Sequence, residues 1–498
     1  MIPSHIRLLR IARAGNPARA LRIFVDQELD TVVDDPKVLT LKGRLLKDQA
    51  EHCSGAERTA LYIRASEAYL AAFDLEATSY ALINAATLAL LAGDVARSRE
   101  LAQQVLDLLD ASPEEGETPY WREATRAEAL LLLGRLQPAR LALDEAIALL
   151  PLAHEDRAAT MGQFERIIAA QGGDAEWLGS YRPPASIHFS GLIGLDPKAP
   201  VLHDDIAKTI GRIQPGYAFG ALAAGADIMI AEAAVSAGAQ LHVTLPWTIN
   251  EFRARSVEPY GDDWCARFDS LLQQAESIYE PAPSETETSL SYARSIEIAS
   301  LVALGRNLRQ ADILKSRACA VTIVAPGEVD RPHIEHWERN IGPTERIKTR
   351  RAFSAAYSHH SAAEDAPAYP LAAVMWIDAA DPSALGDLAT GYDLAFRARH
   401  DGGLLAGTPT ACLAAARKFS QAESGGSAGL VINAFDAARP PHGLVERCRL
   451  LARSEDGGQI KTDRQSALIA RVLSPDTGIE ELGELSSLSG PISLWSLK

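Results

Sequence analysis

From Pro215 the chain reads PGYAFGALAAGADIMIAEAAVSAGAQLHVTLP, and no other stretch limits the fold as tightly. A small-residue turn opens a helix over Asp227 to Ala237. Gly238 closes that helix, and LHVTLP continues as a buried strand. A strand, a glycine-rich turn, a helix and a second apolar strand make half of a parallel α/β unit. Such a unit aims free helix N–H groups at an anion. The segment therefore predicts a layered α/β domain holding a charged small molecule near Ser190, Gly191, Gly220, Gly225 and Asp227. Glycine there permits close backbone approach and positive φ. Asp227 is expected as the helix N-cap or as a contact to a ribose hydroxyl. Glu232, five residues on, is expected as a surface charge or a second polar contact.

The chain of 498 residues divides by pattern. Residues 1–180 are helical throughout, with apolar residues at i, i+3, i+4 and i+7 and breakers at Gly15-Asn16-Pro17, Asp34-Asp35-Pro36, Gly93-Asp94 and Ser112 to Gly116. Ile83–Leu109 and Ala124–Leu150 repeat one another: a helix ending Leu-Leu-x-Gly, a turn, and a second helix with Ala-Arg near its start. Gly93 and Gly134 lie about 40 residues apart, the layout of a tetratricopeptide-type solenoid. Residues 184–345 alternate strands (IHFSG, LHVTLP, CAVTIVAPG) with helices, one of which runs through WCARFDSLLQQAESIY. A parallel sheet of three to five strands is expected there. Residues 346–498 form a separate α+β unit, with strands at LAAVMWID, AGLVINAF, LIARVLSP and SLWSL. The fold class is multidomain: an α-solenoid, a Rossmann-like α/β domain and an α+β domain.

A net charge of −16 argues against a general nucleic-acid or anionic-membrane surface. The five scattered cysteines, without paired spacing, point to a reduced, cytoplasmic chain. The N-terminal segment carries arginines but no uninterrupted apolar core, so no signal peptide is expected. No stretch reaches the ~20 apolar residues of a membrane span. His359, His360 and His400 are expected as solvated loop residues.

Three resemblances extend these readings. YALINAATLALLAGD and YWREATRAEALLLLGR, within about 20–175, resemble the TRAFs-binding region of stress-activated MAP-kinase-kinase-kinases and bacterial multidomain proteins. The matching residues include Asn84, Gly93, Tyr120, Trp121, Glu128 and Gly134. That resemblance implies a scaffold binding a protein partner. HFSGLIGLD, ALAAGADIMIAEAAVSAGAQLHVTLPW and EFRARSV, over about 186–340, resemble the SLOG-type Rossmannoid superfamily and imply a nucleotide-like ligand. The Arg and Glu pair of its hydrolytic members has no clear counterpart, so binding is favoured over nucleotide or N-glycoside hydrolysis.

LAAVMWIDAAD, the hairpin Arg399-His400-Asp401-Gly402-Gly403, GLVINAF and GLVERCRLLARSEDGGQI resemble class III nucleotide cyclases. Asp378 and Asp401 would there hold two metal ions, Mg²⁺ in an active enzyme. The Phe-Ala-Asp-Ile-x-Gly pattern is lost, and Glu446 stands where a transition-state donor belongs. The expectation is a degenerate cyclase fold used for assembly, including homodimerisation. An active but divergent cyclase is the alternative.

Overall fold

The computed structural model describes the chain except residues 1–3, 14–15, 113–115, 117, 198–199, 282–289, 328–330, 350–368, 379–381, 422–426, 455–459, 488–489 and 498. His359 and His360 lie outside the described residues. The chain forms two compact units, residues 1–183 with 313–315, and residues 184–312 with 316–498.

The first unit is helical: α1 (Ser4–Arg13), α2 (Pro17–Asp26), α3 (Pro36–Ala50), α4 (Gly55–Leu75), α5 (Ser79–Leu91), α6 (Val95–Ala111), α7 (Pro119–Leu132), α8 (Leu136–Leu149) and α9 (His154–Ala170). The described breakers fall at helix boundaries: Asn16 and Asp35 precede α2 and α3, whose first residues are Pro17 and Pro36, and Gly93-Asp94 separates α5 from α6. Asp35, Thr78, Asp94 and Thr118 cap α3, α5, α6 and α7 through side-chain oxygens. The two repeats end alike. Gly93 and Gly134 take φ of +93° and +75°, and their N–H groups donate to Leu90 O and Leu131 O, each at 2.9 Å. Gly172 closes α9 in the same way, which the sequence reading did not anticipate. A buried polar line stitches the repeats: Thr87 on α5 donates to Glu128 on α7 at 2.6 Å, and Gln163 on α9 donates to it at 3.1 Å. Tyr120 is core, its hydroxyl donating to Thr160 at 3.0 Å, and burial pushes its phenol up to about 12.

The second unit opens with β1 (Ala185–Gly191), α10 (Pro200–Ile213), β2 (Pro215–Gly220), α11 (Ala226–Ser236), β3 (Gln240–Thr244), α12 (Ile249–Ser256), α13 (Asp262–Gln274), β4 (Ala275–Tyr279), α14 (Tyr292–Leu314), β5 (Ala318–Val324), α15 (Pro332–Asn340) and β6 (Thr344–Lys348). The sheet has six strands, not three to five, in the order β4-β3-β2-β1-β5-β6, and every pairing is parallel. Two strands were unforeseen: AESIY breaks away from the expected long helix as β4, and TERIK adds β6. One face buries Ile187, Phe189, Ala218, Val243, Val321 and Ile323 with apolar residues of α10, α11 and α13. Residues of the other face meet α14 and α15: Ser186 donates to Asn307 O at 3.1 Å, and Arg306 donates to Thr244 at 2.7 Å and Ser277 at 2.6 Å. Burial is what lowers Arg306, to about 10.

The second sheet is built from β7 (Leu371–Ile377), α16 (Pro382–Gly391), β8 (Ala395–Arg399), β9 (Gly402–Gly407), α17 (Pro409–Gln421), β10 (Ala428–Ala434), α18 (His442–Arg453), β11 (Ile460–Asp463), α19 (Arg464–Leu473), β12 (Ile479–Leu485) and β13 (Ile492–Leu497). Its order is β12-β13-β11-β10-β7-β9-β8. From β7 to β10 it is a split βαβ arrangement with antiparallel neighbours. LIARVLSP, expected as a strand, lies in helix α19. Its residues are buried almost all round and Asp463 caps it, so an apolar run served as a helix between layers. The sheets expected as separate domains share one core. Leu301, Val302, Leu304 and Leu308 of α14 pack with Trp337 and with Met375, Leu430, Leu468 and Val472. Among the described residues no helix is long and apolar enough to cross a membrane.

Candidate functional site

The six-stranded order places a topological switch at β1. The chain runs outward through β2, β3 and β4, then returns to β5 on the other side of β1. In open parallel sheets the crevice at such a point, beyond the strands' carboxyl ends, is where ligands enter. Ser190 and Gly191 end β1 there. Two residues just after β5 join them. Arg331 donates to Gly191 O at 2.7 Å, and His333 Nε2 lies 3.3 Å from Ser190 Oγ.

The three glycines are explained first by packing. A Cβ on Gly191 would lie 2.6 Å from Ala226 Cβ and 2.9 Å from Ile323 N, and one on Gly220 would lie 2.5 Å from the Phe189 ring. Gly225 has φ +127°, and its Cβ would meet Leu192 O at 2.5 Å. The segment after β1 crosses the start of α11: Ala226 N–H donates to Leu192 O at 2.9 Å and Gly194 N–H to Ala224 O at 2.7 Å. These contacts take up part of the free N-terminal donor set that the sequence suggested for an anion.

Gly225, not Asp227, is the N-cap of α11. Asp227 lies in the first turn, 7% exposed, and accepts from Ala223 N–H at 3.3 Å. Burial raises its carboxyl to about 6 against the pull of Arg331 and of the Ala223 and Gly191 backbone. The sign follows from linkage. An acid raised in the folded state contributes stability that is full below about 3.8 and lost as pH rises through about 6. Asp227→Asn is therefore expected to be more stable than the wild type at pH 7.5, by up to about 3 kcal/mol. In urea melts the gap should close on acidification to pH 4; a gap independent of pH would contradict the assignment.

His188 and His333 stand edge to face at 5.5 Å. Burial holds His188 down at about 3, and holds His333 well below the usual histidine range with His188 and Arg331 adding to it. Both are neutral at physiological pH. Ser190 and His333 have the contact of a nucleophile and its base, but among the described residues no carboxylate is bonded to His333 to complete a triad. Glu232 is elsewhere. It forms a two-pronged ion pair with Arg267 of α13, its Oε1 accepting at 2.8 Å, and Arg267 lies over Trp264.

The second sheet does bring Asp378 and Asp401 together. Gly402, at φ +153°, lets the β8–β9 turn close on Ile377 O. Trp376 Nε1 donates to Asp378 at 2.7 Å, and Arg453 reaches Asp378 at 3.5 Å while also pairing with Asp401. Arg449 donates to Asp401 at 2.6 Å and lies 4.4 Å over the Trp376 ring. Burial works against the ionised Asp401 carboxyl, but hydrogen bonds from Arg453 and Arg449 outweigh it and hold the group below the usual carboxylate range. A divalent cation would have to displace two guanidinium groups, so the residues as arranged do not fit a metal pair. Among the described residues no three His, Cys, Asp or Glu side chains gather as a metal site. His400, exposed, lies 3.7 Å from Asp401.

Sequence reasoning missed Arg331, His333 and Arg453. For Arg453 a signal existed: it follows Arg449 by four residues, one helical turn along the same face of α18.

Comparison with known proteins bears on the helical unit. The family Tetratricopeptide Repeats-Sensor (TPR-S) matches residues 6–89, spanning α1 to α5. The N-terminal unit is TPR-like, and repeats of this kind point to protein–protein interaction or scaffolding. No curated protein matches the chain. Among solved structures, a variant of the Thermobaculum terrenum O-GlcNAc transferase aligns at 10% identity and a TM-score of 0.19, over 63% of this chain and 58% of that one. The chain thus spans little more than half of that protein, and so low a score carries no argument.

Proposed function

We propose that this protein is a ligand-responsive scaffold. The TPR-like unit recruits a protein partner, the parallel sheet takes a nucleotide-like molecule in the crevice beside β1, and the second sheet is a non-catalytic, cyclase-like module used for assembly, including a homodimer. The observation that carries the ligand reading is Arg331. It stands at the switch point with one donor on Gly191 O, and the rest of its fork makes no other described hydrogen bond. A guanidinium in that place suits a phosphate. The observation that argues against cyclase chemistry is the pairing of Asp378 and Asp401 with Arg449 and Arg453.

The test is calorimetric titration of the full chain with ATP and with ADP-ribose, without and with Mg²⁺. Binding independent of Mg²⁺ is expected. Arg331→Ala should weaken it about tenfold to a hundredfold, as befits a hydrogen bond to a charged group worth about 1.5–3 kcal/mol. Affinity unchanged in Arg331→Ala would contradict the placement.

A further inference from the structure

A second opening lies on the same carboxyl edge of the parallel sheet, at β3 and β4 and away from the glycines. It is an open cleft of about 130 Å³, close to the ~150 Å³ cavity that admits a single aromatic ring. Trp247 and Tyr279 supply aromatic walls, Ser295, Ala299 and Val302 of α14 form one side, and Gln465 of α19 closes it from the second sheet. Among the described residues, no charged side chain lines it.

The polar groups are few and their vacant roles are defined. Gln465 is 6% exposed, and its Nε2 donates to Ile432 O at 3.2 Å. That bond fixes the amide orientation, because the opposite one would set two oxygens together. Its Oε1 accepts no described hydrogen bond. Ser295 Oγ donates back to Ser291 O at 3.2 Å, which leaves its lone pairs to accept. Both groups thus ask for N–H donors. Trp247 is held rigid, stacked at 4.9 Å on Tyr292 with the Arg255 guanidinium 5.0 Å from its ring centre.

We infer that this cleft binds an uncharged, flat heteroaromatic ring bearing an amino group, an aminopurine of the adenine type. Aromatic and aliphatic walls bury its faces, and Gln465 Oε1 and Ser295 Oγ accept from its amine. Because α14 and α19 both contribute, the ring touches both sheets at once, and its presence is read by the second sheet. The inference goes beyond the phosphate reading at β1 and does not need it.

Equilibrium dialysis of the full chain against radiolabelled adenosine, which has the ring but no phosphate, tests it. Saturable binding of one adenosine per chain is expected. Ala299→Phe, which fills the cleft, and Gln465→Leu, which removes the acceptor, should each weaken it at least tenfold. Circular dichroism identifies any variant that has lost its fold, and the other variant then decides. Arg331→Ala should leave adenosine binding unchanged, so failure here is separable from failure of the phosphate site. No saturable binding, or binding that the folded cleft variants leave unchanged, would overturn the inference.

Discussion

Asp463→Ala is expected to destabilise the second unit by about 3–5 kcal/mol, the cost of breaking a buried ion pair from one side. Arg447 and Asp463 have side chains only 4% exposed, with 3.4 Å between Nη1 and Oδ2. The carboxylate does a second job: its Oδ1 accepts from Ser466 N–H at 2.8 Å and caps α19. Removing it leaves the Arg447 charge buried with less to offset it and also frays the helix start, which adds about 1 kcal/mol. Urea denaturation of the full chain gives the number. The double variant Arg447→Met, Asp463→Asn should recover most of the loss, since the cap acceptor stays and no lone charge is buried. A loss under about 1 kcal/mol for Asp463→Ala would mean that α18 and α19 are not packed as described.

Gly305→Ala gives the next largest effect, and its sign is diagnostic. In an isolated helix the change stabilises by about 1 kcal/mol. Here a Cβ on Gly305 would stand 2.3 Å from Leu468 O and 2.7 Å from Leu468 C, both backbone atoms. α14 and α19 cross at that point, so the methyl must push the two sheets apart. Overpacking of this kind costs about 1–3 kcal/mol, and the upper end is expected because no side-chain rotation relieves it. A more stable Gly305→Ala protein would contradict the shared core.

The sequence shows the helical unit well, for local reasons. Gly93 and Gly134 stop their helices through backbone bonds of a few residues' span, and the 3.6-residue period of the apolar positions is written into neighbouring residues. The third stop, at Gly172, carries the same left-handed glycine but lacks the Leu-Leu-x-Gly run before it. Strands fared worse. AESIY follows a helix with no breaker between, and only parallel pairing with β3 makes it a strand. LIARVL has the composition of a buried strand and is a helix covered on both sides, by the second sheet and by helices α14 and α15.

At the candidate site, the sequence set Ser190 and Gly191 at a strand end and Asp227 at a helix start, where β1 and α11 hold them. Arg331 and His333 were not legible. Nothing near them in the chain says that β5 returns to lie beside β1, so their approach to Ser190 depends on strand order alone. The glycines were read as space for a phosphate, whereas Ala226, Ile323, Phe189 and Leu192 occupy the places where their Cβ atoms would stand. The approach of Asp378 to Asp401 was legible from the strand and hairpin; Arg449 and Arg453, which neutralise them, were not read, although their four-residue spacing sets them on one face of α18.

We propose that the second unit binds a nucleotide-like ligand without turning it over. The most direct measurement incubates the full chain with ATP and Mg²⁺ while binding and products are followed together, by calorimetry and by chromatography. Saturable binding is expected that survives removal of Mg²⁺, weakens in Arg331→Ala, and leaves the nucleotide intact. Cyclic nucleotide or pyrophosphate formed only with Mg²⁺ and abolished in Asp378→Ala would contradict it.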